Sequence, residues 1–236
     1  EIQVVHIVAD ASKVAAAKQK LDVLIQNFER PSNVELTSLV EVGTILEDIG
    51  KIARKERAQL IIMGTHGAVG MQKLFGSHAI KVITSADVPF LVVQEKTPVN
   101  EVQNIIVPID LTKESLQITN IAGDLAAMFD AELHVTFEKM SDQVLRQKMN
   151  TRVTLVRNSY EDRKLKSHFI ELDGSGSYHK KIIDYAKKVK ADQIAIAYHT
   201  ESLLPQFDKF AQSLITNDLN LPCVIINSKS ASSLYF

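Results

Sequence analysis

The residues best placed to do chemistry in this chain lie in one stretch, Gly64-Thr65-His66-Gly67, joined after Ala68–Phe75 by Gly76-Ser77. The first group directly follows an apolar run, Leu60–Met63, and Gly76-Ser77 opens a helical pattern that ends near Ser85. A strand, a glycine-containing loop and a helix start in succession form the layout that receives phosphate. Glycine lets backbone N–H groups approach a ligand and adopt positive φ without a Cβ clash. The first helical turn adds unsatisfied N–H donors and the positive end of the macrodipole, worth roughly 0.3–1 kcal/mol to a nearby negative charge. The Ser77 hydroxyl can donate to an anion or cap the helix. The bland alternative for the same residues is ordinary turn and helix-start chemistry.

The elements that must position this loop are written twice. Arg57–His66 and Lys190–His199 align at an offset of 133, as do Pro89-Phe90-Leu91-Val92-Val93 and Pro222-Cys223-Val224-Ile225-Ile226. Glu1–Val5 matches Glu132–Thr136 at an offset of 131. Strands are expected at Ile2–Val8, Val34–Val42, Leu60–Met63 and Phe90–Val93 in the first copy. In the second they are expected at Ile105–Ile109, Leu133–Phe137, His168–Leu172, Gln193–Ala197 and Cys223–Ile226. Stretches of helical spacing separate them, among them one near Asp142–Tyr160. Alternating β and α with apolar strands predicts parallel sheets covered by helices on both faces.

The repeat gives two α/β units, 1–95 and 104–228, with Lys96–Gln103 as linker. Residues 104–131 supply the second unit with a first strand and helix that have no counterpart in the first. The sequence as given is therefore expected to begin in mid-domain, leaving two neighbouring strands without the one between them. Phe90–Val93 and Cys223–Ile226 are apolar edges that need covering. They are expected to zip the two copies together about a pseudo-twofold axis.

The second copy's loop acts as an internal control. At unchanged length Gly64 becomes Ala197, Gly67 becomes Thr200, Gly76 becomes Lys209 and Ser77 becomes Phe210. Each lost glycine puts a Cβ in a ligand's path, and Phe210 cannot donate. The second copy reads as a structural or regulatory half. His66 recurs as His199 in that eroded loop, which favours loop bracing over catalysis. Met63 and Cys223 read as core, and Gly174-Ser175-Gly176-Ser177 as a turn rather than a second phosphate loop. Arg146, Lys148, Arg152 and Arg157 read as a solvated helix face.

Composition bounds the rest. A net charge of −1, from 27 basic and 28 acidic residues, gives no general attraction to nucleic acid or an anionic membrane. One cysteine in 236 residues suits a reducing compartment and permits no internal disulfide. No apolar stretch nears the roughly 20 residues that span a bilayer, and no basic-then-apolar leader opens the sequence. Cytoplasmic residence is the expectation. No zinc-protease, CxxC, nucleophile-elbow or Walker-lysine pattern occurs. Slow ATP hydrolysis rests on fold analogy alone.

The run Ile62-Met63-Gly64-Thr65-His66-Gly67, through Gly76-Ser77 to Val88-Pro89-Phe90-Leu91-Val92-Val93, resembles the C-terminal half-domain of the universal stress protein family. The resemblance covers nearly the whole chain as a tandem pair. It implies two Rossmann-like domains of the adenine nucleotide alpha hydrolase-like type, each a parallel five-stranded sheet flanked by helices. The first would lack its first strand and helix as given. It also implies pairing through the last strand, homo-oligomers, and in some members ATP or AMP binding, with Mg²⁺ as a possible companion. Carried over, Gly64, Thr65, His66, Gly67, Gly76 and Ser77 would hold phosphates, and Ile7 and Met63 would lie near adenine or ribose. Asp110 matches the aspartate that ends the family's first strand; it reads either as a relic adenine contact or as a strand-end cap. The competing reading is a nucleotide-independent scaffold for dimerisation.

Overall fold

The computed structural model describes residues 1–64, 82, 83, 85–198 and 209–227. Nine strands are described: β1 Ile2–Val8, β2 Leu36–Val42, β3 Ile61–Gly64, β4 Phe90–Val93, β5 Asn104–Pro108, β6 Glu132–Glu138, β7 Ser167–Leu172, β8 Gln193–Tyr198 and β9 Cys223–Asn227. Among them run the helices α1 Val14–Gln26, α2 Ile45–Lys55, α3 Glu114–Phe129, α4 Gln143–Asp162, α5 Tyr178–Val189 and α6 Lys209–Ile215. Each expected strand is present, with ends shifted by a residue or two. The short Val/Ile-rich runs become strands because both their faces are covered: all six residues of β8 are buried.

The sheets are connected differently from two separate five-stranded units. β9, β8, β5, β6 and β7 lie side by side and parallel, as expected for the second half. β4 joins the free edge of β9 antiparallel, Phe90 opposite Ile225 and Val92 opposite Cys223, and β3 pairs parallel with β4. One seven-stranded sheet results, in the order β3-β4-β9-β8-β5-β6-β7. β1 and β2 form their own parallel pair, Ile2 opposite Leu36 through Val8 opposite Val42. No described strand bridges that pair to β3. The physical reason is the repeat's asymmetry: β5 and α3, which join β6 to β8 in the second half, have no described equivalent among residues 1–64.

Burial follows the same division. One core cluster spans both halves, with Ile83, Phe90 and Val92 packed together with Ile194, Cys223 and Ile225, all at most 2% exposed. Side-chain bonds also cross the seam: Gln94 Nε2 donates to Asn217 O at 3.0 Å, and Thr97 Oγ1 to Asn220 O at 2.9 Å. By contrast, Val8 and Ile25 are buried in the β1–α1–β2 unit while Val23, Leu24 and Phe28 are exposed. No described helix is long and apolar enough to cross a membrane.

Two outcomes follow from this packing. Gly50, inside α2, faces the backbone of Ser85, where an added Cβ would come within 2.1 Å of the carbonyl oxygen. Gly50→Ala should lower stability in a urea melt by about 1–3 kcal/mol, opposite in sign to the ~1 kcal/mol gain expected on an exposed helix. Cys223 is fully buried, its thiol donates to Leu214 O at 3.1 Å, and burial pushes its pKa up. Thiol reagents should therefore leave the native protein unlabelled and react only once urea unfolds it.

Candidate functional site

Parallel sheets take ligands outside the carboxyl ends of their strands, and the repeat gives this chain two such places. The first begins at Gly64, the last residue of β3, which lies in register with Val93. Thr65, His66, Gly67, Gly76 and Ser77 lie outside the described residues, as does His199. Met63 packs against the core shared by the two halves. Ile7 is half-buried on β1 opposite Glu41, so strand pairing does not bring Ile7 and Met63 together.

The second place, outside β5 and β8, is filled. The space left between Asp110, Ser115, Tyr178, Ala197 and Phe210 is about 10 Å³, room for about one water molecule. The rings of Tyr178 and Phe210 stack at 5.5 Å with 12° between their planes. The Tyr178 hydroxyl is held between Thr136 O at 2.7 Å and Ile109 O at 3.2 Å, the carbonyls at the ends of β6 and β5. A nucleotide base entering here would have to displace both rings. Ala197 and Phe210 occupy the positions that the repeat matches to Gly64 and Ser77. Tyr178, which opens α5, is the partner that pattern reading missed. The signal was available, since Tyr178 falls opposite Ile45 at the same 133 offset.

Asp110 ends this crevice as a brace. Its carboxylate accepts from the Thr112 amide at 2.8 Å and from the Thr112 hydroxyl. Ser115 Oγ donates to Asp110 O and Thr112 O, both at 3.0 Å. These contacts brace the turn that follows β5. Arg152 corrects an expectation: it is not on a solvated face. Its guanidinium turns inward from α4 to donate to Asp110 O at 2.6 Å and to Thr112 O, and burial lowers its pKa. The run at 174–177 is a turn, with φ of +95° at Gly174 and +108° at Gly176, where other residues would be strained.

Burial pushes the Tyr178 phenol above its ordinary value of 10.0, and Tyr160 shifts the same way. A raised folded pKa gives stability that is complete below the unfolded value and lost as pH rises through the folded one. Stability should thus fall on the alkaline side of pH ~10. Tyr178→Phe should cost about 0.5–1.5 kcal/mol at neutral pH while flattening that alkaline decline, by at most about 1.4 kcal/mol per pH unit. Urea melts at pH 7 and above pH 10 measure both.

Comparison with known proteins agrees with this architecture. Residues 3–94 match the model of the universal stress protein family. A universal stress protein of Methanocaldococcus jannaschii is 35% identical over 81 residues, 34% of this chain. The match spans about half of that relative, 49% of its length. In fold, a universal stress protein of Archaeoglobus fulgidus superposes with a TM-score of 0.71 at 16% identity, covering 96% of this chain and 86% of its own. Another, solved from the same organism in complex with dAMP, covers 54% of this chain and 98% of its own at 14% identity, with a TM-score of 0.44. That nucleotide belongs to that protein. Residues 3–94 are thus similar to a universal stress protein domain, and the fold of the chain is like that of a solved member of that family.

Proposed function

We propose that this chain is a cytoplasmic stress-response protein built as a tandem pair, binding ATP or another adenine nucleotide at its first half alone. Gly64, Thr65, His66, Gly67, Gly76 and Ser77 would present amides and a hydroxyl to the phosphates, with Ile7 and Met63 toward the base or ribose and Mg²⁺ as a companion ion. The observation that carries this reading is the contrast between the copies. Tyr178 and Phe210 close the second crevice. At the matching positions the first copy has Ile45 and Ser77, and it keeps the three glycines that the second has lost. The second half then serves as structural support, and association between chains is expected of such a protein.

A thermal melt with ATP and Mg²⁺, and separately with AMP, tests the proposal. Ligand at ~100 times its dissociation constant stabilises by about 2.7 kcal/mol, a rise of roughly 5–11 °C for a chain of this size. Gly67→Val should abolish the rise, whereas Tyr178→Phe should lower the baseline and leave the rise intact. No shift at millimolar nucleotide would refute binding.

The second reading, a nucleotide-independent scaffold, draws on the continuous seam between β4 and β9. A protein that purifies without nucleotide and forms a stable dimer in light scattering would favour it. Phosphate release no greater than that of Gly76→Val would remove slow ATP hydrolysis.

A further inference from the structure

A separate cluster lies at the amino ends of β5, β6 and β7, away from the crevice that Tyr178 closes. His134 on β6 stands opposite His168 on β7. Glu132, two residues before His134, shares its face of the sheet, since strand side chains repeat every second residue. The two imidazoles stack with centroids 4.9 Å apart. His168 Nε2 lies 2.9 Å from Glu132 Oε2. His134 is buried, its Nδ1 held 2.9 Å from the Tyr185 hydroxyl and its Nε2 3.1 Å from Asn104 Oδ1. One donor atom from each of Glu132, His134 and His168 lies within 4.8 Å of the other two, a grouping of potential ligands found among the described residues.

We propose that Glu132, His134 and His168 form a binding site for a divalent transition-metal ion of the Zn²⁺ type. Two imidazole nitrogens and one carboxylate oxygen make a borderline donor set that favours zinc over magnesium, which prefers oxygen alone. Zinc–ligand bonds of about 2.0–2.2 Å place tetrahedral ligands about 3.4 Å apart, so the cluster has to contract. The solvent side has room for that movement: the side chains of His168 and Glu132 are 53% and 46% exposed. His134 is the fixed ligand. In the tautomer that carries its proton on Nδ1 and donates it to Tyr185 Oη, its Nε2 lone pair is free for a metal once the Asn104 side chain swings away from it, and a hydrogen bond on the second nitrogen is how ligating histidines are oriented. Ligation through His168 Nε2 uses the tautomer with the proton on Nδ1, so the metal takes the place of the Nε2 contact with Glu132. An open hollow of about 620 Å³, lined in part by His134, His168, Arg157 and Tyr185, gives an ion and its waters a route in.

Calorimetric titration of the chelator-treated full chain with Zn²⁺ at pH 7.5 tests the site. One equivalent should bind, with excess Mg²⁺ failing to compete. His168→Ala and Glu132→Gln should each weaken binding at least tenfold, and Tyr185→Phe, which touches no metal, about tenfold. Acidification to pH 5.5 should weaken it further, because protonated imidazole cannot ligate. NMR of the unmodified chain should show the ring signals of His134 and His168 moving with added Zn²⁺. Two results overturn the proposal: no saturable uptake at millimolar Zn²⁺, or uptake undiminished by His168→Ala with the His134 and His168 signals unmoved. Neither result bears on nucleotide binding at Gly64–Ser77, which the ATP melt decides on its own.

Discussion

The antiparallel contact between β4 and β9 is the constraint on which the rest of the molecule depends. Each strand would otherwise be an apolar edge with a row of unpaired N–H and C=O groups, open to aggregation. Pairing Phe90 with Ile225 and Val92 with Cys223 satisfies those groups and lets one core cluster extend over both halves. Phe90, Cys223 and Ile225 are wholly buried for that reason. Gln94 and Thr97 extend the contact beyond the strands by bonding the carbonyls of Asn217 and Asn220. The first half lacks a described strand between β1 and β3, so it holds β3 and β4 through this partnership rather than through a sheet of its own.

The two copies differ at the strand-end loops, where Gly64, Gly67, Gly76 and Ser77 stand opposite Ala197, Thr200, Lys209 and Phe210. In the second, stacked aromatic rings fill the strand-end crevice, and the buried Tyr178 hydroxyl is satisfied by two carbonyls near the strand ends. Arg152 and Ser115 then lock the adjoining Asp110–Thr112 turn. Each of these contacts adds packing at that strand end. The first copy's sequence carries none of these replacements: aliphatic Ile45 stands opposite Tyr178, and Ser77 opposite Phe210.

Strands were readable because short β-branched runs such as Ile105-Ile106-Val107 have one physical use, burial on both faces. Repeat offsets marked residues 104–131 as without a counterpart in the sequence of the first copy and the loop glycines as replaced in the second. Legibility failed where meaning depends on contacts distant in sequence. Tyr178 looks like an ordinary helix residue until Phe210 lies against it, and Arg152 looks solvated until the Asp110 turn folds beneath it. His134 and His168 are 34 positions apart and meet only through the register of β6 and β7. Asp110 allowed two readings because a carboxylate at a strand end suits a ligand and a turn amide equally well.

The seam also sets a direction. Because β4 runs opposite to β9, the carboxyl ends of β3 and β4 emerge on the rim that holds the amino ends of β5 to β9. Gly64 and the Glu132–His134–His168 cluster therefore share one rim of the twisted sheet, five strand spacings apart, or about 24 Å along it. The crevice sealed by Tyr178 opens the other way. Reversal of chain polarity at a single joint thus sets Gly64 and the histidine pair on one rim and the stacked rings of Tyr178 and Phe210 on the other.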